Sequence, residues 1–401
     1  MNIKENLSNR IKRVKPSVTN DSNRQAKELI KNGIHVFNLS NGDISLPTPE
    51  IAKNAAIEAI ENDDTKYTLA SGKEELRKAI ADQYNRKYDL DYKYQNVLVG
   101  SGTKNVLFTL MGVLCNHDDE IIVPTPCWPS YFEQIKLFGA TPKIIECGIE
   151  NNFKLTAKLL SKNITTRTKA VILNSPNNPS GSIYSKEELA ELAKVLEKHD
   201  DIFIIFDDVY SEIASPRSSF YNIVCLSKNI QNRTIIAGGI SKNYGMTGWR
   251  IGWLIGPEEI ISASSSFQSH SLGSAVTISQ DAAISLLNHV DESPFNEIFS
   301  ERRKTMVEEL RKIKELTFFE PQGACYIFPS IKKLVGKKYD GVILKNSKQF
   351  CELALKYGHI SVIPGEACGL EGYLRLSFGS LTSAQIKENM FQLKQFVENF
   401  R

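Results

Sequence analysis

The 401-residue sequence predicts an α/β protein: a large domain with a mostly parallel seven-stranded sheet flanked by helices, and a smaller α+β domain beside it. Three observations predict it. From about residue 50, short β-branched and apolar runs bounded by turn residues alternate with stretches of helical period. Those runs lack the apolar/polar alternation of strands with one wet face, so they read as strands covered on both sides, the pattern of a parallel sheet. After about residue 290 the alternation gives way to a long charged helical stretch and then to short mixed segments. At roughly 150 residues per domain, this length allows two or three domains with sizeable cores.

Seven runs are the candidate strands of the large domain: Asn96–Val99, Glu120–Pro124, Pro142–Glu146, Ala170–Asn174, Ile202–Phe206, Thr234–Ala237 and Ile251–Ile255. Amphipathic stretches between them, such as Lys104–Leu114, Lys186–Lys198 and Glu258–Gln268, are expected to cover the two faces of the sheet. Next comes a helix over Asn296–Glu315, then strands near Tyr326–Phe328, Ile360–Ile363 and Tyr373–Ser377, and a closing helix over Ser383–Phe400. The N-terminal fifty residues are too few for a core of their own and are expected to join the small domain. The expected organisation is therefore 1–50 as an arm and part of the small domain, 51–290 as the large domain, and 291–401 as the small C-terminal domain.

Composition narrows the function. With 41% hydrophobic and 24% charged residues the chain is an ordinary globular one. Its 49 basic and 46 acidic residues leave a net charge of +3, too balanced for a general grip on nucleic acid or anionic lipid. Seven scattered cysteines without a Cys-x-x-Cys pair signal neither a disulfide framework nor a zinc site, and the six histidines show no ligand spacing, so no metal is expected. The N-terminus lacks the apolar core of a signal peptide and no stretch approaches 18 uninterrupted apolar residues, so a cytoplasmic protein without membrane contact is expected. Small-molecule chemistry is the default.

Four motifs carry that chemistry. Gly100-Ser-Gly-Thr-Lys-Asn105 follows an apolar run and opens a helical one, the setting in which backbone amides cradle a phosphate. Asn105 stands where a dinucleotide fingerprint needs its third glycine, and no ribose-binding carboxylate follows, which disfavours a nicotinamide cofactor. Asn174-Ser-Pro-Asn-Asn-Pro-Ser-Gly181 and Phe206-Asp-Asp-Val-Tyr210 both fall at the carboxyl ends of expected parallel strands, the rim where open α/β sheets bind ligands. Taken singly they also read as a rigid turn and a helix cap. In Ser241-Lys-Asn-Tyr-Gly-Met-Thr-Gly-Trp-Arg250 a lysine and an arginine flank a glycine-rich turn, and a lysine desolvated there becomes a nucleophilic amine.

Together, Lys242, Asp207, Tyr210, Asn178, Arg250 and the Gly102–Lys104 turn resemble the pyridoxal-phosphate-dependent aminotransferases of fold type I, in particular the class I aspartate aminotransferase family. The resemblance runs from Arg13–Ser17 almost to the C-terminus. It is carried also by Lys66-Tyr67 with Gly72 and Leu76-Arg77, and by Pro126-Cys-Trp-Pro-Ser-Tyr131. Further carriers are Pro321-Gln-Gly-Ala-Cys-Tyr326, Val362-Ile-Pro-Gly365 and Tyr373-Leu-Arg-Leu-Ser377.

The resemblance implies roles. Lys242 would form the imine with the cofactor aldehyde and then shuttle the substrate proton, and Asp207 would keep the pyridine nitrogen protonated. Tyr210 and Asn178 would hydrogen-bond the phenolic oxygen of the ring, and Trp128 would stack on its face. Arg250 would meet the phosphate together with the amides and hydroxyl of Gly102, Thr103 and Lys104. Tyr67 would reach the phosphate of a neighbouring subunit, which implies a homodimer with shared active sites. Arg375 would grip the substrate α-carboxylate with a planar fork, helped by Gly42 and Asn178 and walled by Trp128. The implied substrates are an L-amino acid and a 2-oxo acid in a ping-pong exchange.

The sequence departs from the family near the substrate side chain. Gly42-Asp-Ile-Ser-Leu-Pro-Thr-Pro49 lacks the usual Pro-Asp-Phe run, Ser271-Leu-Gly-Ser-Ala275 replaces a Thr/Ser-Ser-Asn pattern, and Cys325 stands where an aromatic residue is usual. Aspartate, aromatic and other amino donors stay open, as does a carbon–sulfur lyase on the same scaffold. An effector-sensing module of a transcription regulator is disfavoured, because the family-like region starts near residue 13 and leaves no room for a DNA-binding domain before it. Trp249, Trp253, Cys325 and Cys368 read as packing residues.

Overall fold

Seven strands join in one sheet in the computed structural model, which describes residues 3, 6–16, 18–215, 218–290 and 293–401. Ser17, the last residue of the Arg13–Ser17 stretch, and residue 291, where the small domain was expected to begin, lie outside the described residues. The strands are β1 (Val97–Gly100), β2 (Glu120–Thr125), β3 (Thr141–Glu146), β4 (Thr168–Asn174), β5 (Phe203–Asp207), β6 (Thr234–Gly239) and β7 (Gly252–Ile255), in the spatial order β1-β7-β6-β5-β4-β2-β3. Their apolar residues are buried on both sides, in one cluster around Val99, Ile236 and Trp253 and in others around Leu98, Val123 and Ile205 and around Ile122, Leu173 and Phe206.

Three strands, β1, β3 and β7, differ from the expectation of fully buried parallel neighbours. β7 runs antiparallel to both β1 and β6. β3 is one of the two edge strands, and only Ile145 of its six residues is buried. The sheet is thus mostly parallel, as the sequence indicated.

Helices begin where side chains can satisfy the free amides of a first turn. The helix Lys186–Leu196 starts with a capping box between Ser185 and Glu188, and the closing helix Ser383–Glu398 with one between Thr382 and Gln385. The helix expected over Asn296–Glu315 ends earlier, at Leu310.

A second core gathers the C-terminal segments: Phe299, Met306 and Leu310 pack with Ile327, Phe350, Leu376, Leu393 and Phe396. Its three-stranded sheet holds Leu374–Ser377 between Ile363–Pro364 and Tyr326–Ile327. The N-terminal segment joins it. Phe37–Asn38 pairs in parallel with Ile360–Ser361, and Leu39 and Ile44 enter the same core. No helix among the described residues is long and apolar enough to cross a membrane.

Candidate active site

The carboxyl ends of β4, β5 and β6, the start of the helix Thr103–Leu114 and the C-terminal core enclose one cavity of about 260 Å³. Of the residues singled out in the sequence, Gly42, Thr103, Lys104, Trp128, Asn178, Asp207, Tyr210, Lys242, Arg250 and Arg375 line it. Gly102 is not among the lining residues but packs against Arg250, which is. A Cβ there would stand 2.3 Å from Arg250 Nη2, and its φ of +81° also favours glycine. Tyr67 lies outside, with 99% of its surface exposed.

Lys242 sits in the short helix Ile240–Asn243 after β6, and its Nζ donates to the Gly42 carbonyl at 2.7 Å. Burial pushes its pKa down, with Arg375 and Arg250 acting in the same direction against Cys325 and Asp43. Its amine is therefore more readily deprotonated than that of a surface lysine.

Asp207 ends β5, 3% exposed. Burial pushes its carboxyl up to about 6, while hydrogen bonds from Tyr131 and from the Val209 amide favour the anion. The Tyr131 hydroxyl donates to Asp207 Oδ2, and the Val209 amide donates to Oδ1 at 3.2 Å. The Asn174 amide group holds the Asp207 carbonyl at 3.0 Å and accepts from the Asn178 amide at 2.8 Å, tying the two rim motifs together.

Tyr131 was not assigned a role from the sequence. The signal lay in the spacing: it stands three residues after Trp128, one turn along at the start of the helix Ser130–Leu137, so both rings reach the same space. Tyr326 was likewise passed over, and its hydroxyl lies 2.8 Å from that of Tyr210.

Two polar groups facing this region lack partners among the described residues. Asn178 Oδ1 is buried without a hydrogen bond, and so is Arg375 Nε. Arg375 is 3% exposed, donates through Nη2 to the Ser40 carbonyl at 2.9 Å and lies with its guanidinium 5.1 Å from the Tyr326 ring centre. A buried guanidinium with a free N–H and no carboxylate is built for an anion from outside.

At the other end, Arg250 spans the Thr247 and Ser101 carbonyls at 2.7 and 3.3 Å, next to the N-terminus of the helix Thr103–Leu114. The Thr103 hydroxyl donates to the Gly238 carbonyl at 2.8 Å, so its proton is directed to β6 and not into the cavity. Lys104 Nζ lies 5.1 Å from the centre of a Trp128 ring, and its pKa is lowered by burial and by Arg250. The cavity thus has two cationic ends and a buried carboxylate on its floor. Those features fit a phosphorylated aromatic heterocycle with a basic ring nitrogen and, beside it, a carboxylate-bearing substrate.

Comparison with known proteins agrees with this chemistry. The family model for aminotransferase class I and II matches residues 34–390. An aspartate/prephenate aminotransferase of Nitrosomonas europaea is 38% identical over 379 residues, covering 93% of this chain and 95% of that one. The aspartate aminotransferase of Bacillus sp. strain YM-2 is 36% identical over 398 residues, covering 99% of this chain and 100% of that one. Among solved structures, the aspartate aminotransferase of Rhizobium meliloti superposes with a TM-score of 0.94 at 34% identity, covering 98% of this chain and 99% of that one. The Thermus thermophilus enzyme with maleate superposes at 0.90 and 30% identity, covering 97% and 99%.

Proposed function

Because the chain belongs to the class I and II aminotransferases, we propose that it uses pyridoxal phosphate bound in this cavity to move an amino group between an L-amino acid, aspartate foremost, and a 2-oxo acid. The observation that carries the reading is that a desolvated lysine, Lys242, and a buried carboxylate, Asp207, line one cavity between two cationic ends. When bound, pyridoxal phosphate supplies an aldehyde that captures amines and a ring that accepts the electron pair left when Cα loses its proton.

The side chains divide the remaining work. Asp207, kept anionic by Tyr131 and the Val209 amide, holds a proton on the ring nitrogen. Tyr210 and Asn178 would orient the ring through its phenolic oxygen, and the buried Asn178 Oδ1 is left to accept from a donor on the ligand. Trp128, which lines the cavity, would pack on its face. Arg250, with the amides of Gly102, Thr103 and Lys104 at a helix N-terminus, binds the phosphate. Arg375 would hold the α-carboxylate through its unpartnered Nε–H, and the Lys242 amine lining the same cavity would serve as the base for the Cα proton.

Aspartate is favoured by the names of the relatives and by the maleate, a dicarboxylate, held in the Thermus neighbour. Lys104 Nζ beside Trp128 supplies a second cation for a side-chain carboxylate. The exposed ring of Tyr67 supports a homodimer in which it completes the partner's phosphate site. Seven unpaired cysteines support a reducing, cytoplasmic setting. The domain reading follows the same lines: an arm and part of the small domain over 1–50, the cofactor domain over 51–290 and the small domain over 291–401.

The test is borohydride reduction of the purified enzyme followed by peptide mapping. The cofactor is expected on the peptide bearing Lys242, and Lys242→Ala should lose both the attachment and nearly all turnover. Attachment elsewhere refutes the assignment.

A further inference from the structure

Neighbouring side chains of a strand point to opposite faces, and at the end of β5 this separates two adjacent carboxylates. Asp207 turns into the cavity. Asp208, 1% exposed, turns to the far side, where its oxygens lie 3.0 and 3.1 Å from the Tyr84 hydroxyl and one of them 3.4 Å from Asn222 Nδ2. Among the described residues no cation is ion-paired with Asp208. Lys87, the ammonium whose field reaches it, is paired with Glu212.

The titratable groups that face it are Tyr84, Lys87 and Tyr88 from the helix Glu74–Tyr88, together with Asp207 and Glu212 from its own segment. β6 presents the Ala237 carbonyl, which accepts from the Asp208 amide at 3.1 Å, and β7 presents Trp253, whose Nε1 lies 3.4 Å from the Tyr84 oxygen.

A buried carboxylate with only neutral partners loses most of its hydration without regaining it from a cation, and two buried carboxylates in one place do not both ionise readily. The two residues are not equivalent competitors for the charge. Beyond the single phenol proton shared between its two oxygens, Asp208 has among the described residues only a long contact, 3.4 Å from Asn222 Nδ2 to Oδ2, whereas Asp207 takes one donor on each oxygen, from Tyr131 and from the Val209 amide. We propose that Asp208 is held as a neutral carboxylic acid bonded to Tyr84, a positioning residue that leaves Asp207 the only ionised carboxylate at the end of β5. The inference rests on the reading of Asp207 as the partner of the ring nitrogen. Burial, which pushes Asp208 up to about 8 and Asp207 only to about 6, sets the same order. A cavity of about 20 Å³ beside Asp208, Tyr84, Lys87 and Glu212 is large enough for one water, through which the proton can exchange.

Difference infrared spectra of the holoenzyme at neutral pH, wild type minus Asp208→Asn, should contain a protonated-carboxyl stretch. Tyr84→Phe should shift that band without removing it, an effect that a purely structural role for Asp208 does not produce. Carboxylate bands in place of the acid band overturn the proposal. A second readout is the pKa taken from the absorbance of the bound cofactor. Asp208→Asn exchanges a neutral acid for a neutral amide and should leave it in place, whereas deleting a buried charge would move it by about one unit or more. A shift of that size also overturns the proposal. If Asp208→Asn does not fold, Tyr84→Phe alone decides, since a shifted acid band supports the proposal and a shifted carboxylate band refutes it. The infrared result does not depend on which lysine carries the cofactor, so failure of borohydride trapping at Lys242 and failure of this proposal are separate outcomes.

Discussion

Arg375 is buried, yet one of its donors has no partner among the described residues, and leaving such a donor dry costs stability unless a ligand takes it up. Arg375→Ala should therefore raise the amino-acid concentration needed for half-saturation about a hundredfold or more, the value of one to two charge-assisted hydrogen bonds, and leave the affinity for the cofactor near that of wild type. Separate titrations with aspartate and with pyridoxal phosphate check the split, and equal losses would remove Arg375 from the substrate site. Asp207 gives a stability test. Its carboxyl is raised from 3.8 to about 6 in the folded protein, so the folded state binds the proton more tightly than the unfolded one. The contribution is complete below pH 3.8 and is lost as pH rises through about 6. In cofactor-free protein, Asp207→Asn should remove this part of the pH dependence, about 1.4 kcal/mol per pH unit inside that window, as read from urea midpoints against wild type. Lys242 and Asp207 were legible in the sequence as candidates because their motifs fall at the ends of expected strands, and Arg375 only through the family resemblance of its segment, Tyr373–Ser377. Tyr131 was not, because a tyrosine on a mostly apolar helix start reads as core until the strand that faces it is known. The Thr103 hydroxyl was misdirected for a related reason: its acceptor, the Gly238 carbonyl, is 135 residues away in sequence.

Turns between strands and helices decide how closely backbone can approach the cavity. β7 passes so near the start of the helix Thr103–Leu114 that a Cβ on Gly252 would stand 2.2 Å from the Thr103 nitrogen and 2.5 Å from the Gly102 carbonyl carbon. Backbone cannot rotate away as a side chain can. Gly252→Ala should push the Gly102–Thr103 turn off its position, destabilise the fold by about 1–3 kcal/mol, and weaken phosphate-dependent cofactor binding more than it weakens binding of unphosphorylated pyridoxal. Thermal melts and the two affinities measure this, and an unchanged ratio of affinities would detach the turn from the phosphate. The same strand marks the limit of reading elements from sequence. Gly252–Ile255 is an apolar run, and such a run has the same pattern whether it lies parallel or antiparallel to its neighbours. Direction came from the connection: β6 and β7 are joined through Ile240–Arg250, a segment without a full crossover helix. Helix starts were read to within a residue with or without a side-chain cap, at Lys186 and Ser383 as at Glu258. The helix from Asn296 ended five residues early, because Ile313 and Leu316 are buried in a turn that follows it and their spacing imitates another helical turn.

At the scale of the molecule, an apolar patch is exposed on the surface. Tyr67 and Leu69 are exposed at 99% and 64%, and Val276 at 55%, in two segments held together by the Thr277 hydroxyl on the Lys66 carbonyl at 2.6 Å and by Gln280 on Thr68 at 3.0 Å. Ordered and apolar, this surface is suited to a second copy of the chain, and a tyrosine anchored there can cross to the other cavity. If Tyr67 serves the partner's site, Lys242→Ala and Tyr67→Ala subunits should complement each other. In a mixed dimer one site carries both substitutions and the other carries neither. Random exchange makes half of the dimers mixed, so about one quarter of all sites should be native, well above the activity of either variant alone. Complementation within one chain predicts the opposite, since a site drawing both residues from the same subunit always keeps its own defect and mixing adds nothing. Activity after unfolding and co-refolding the two variants distinguishes these cases, with wild type refolded beside them as the standard.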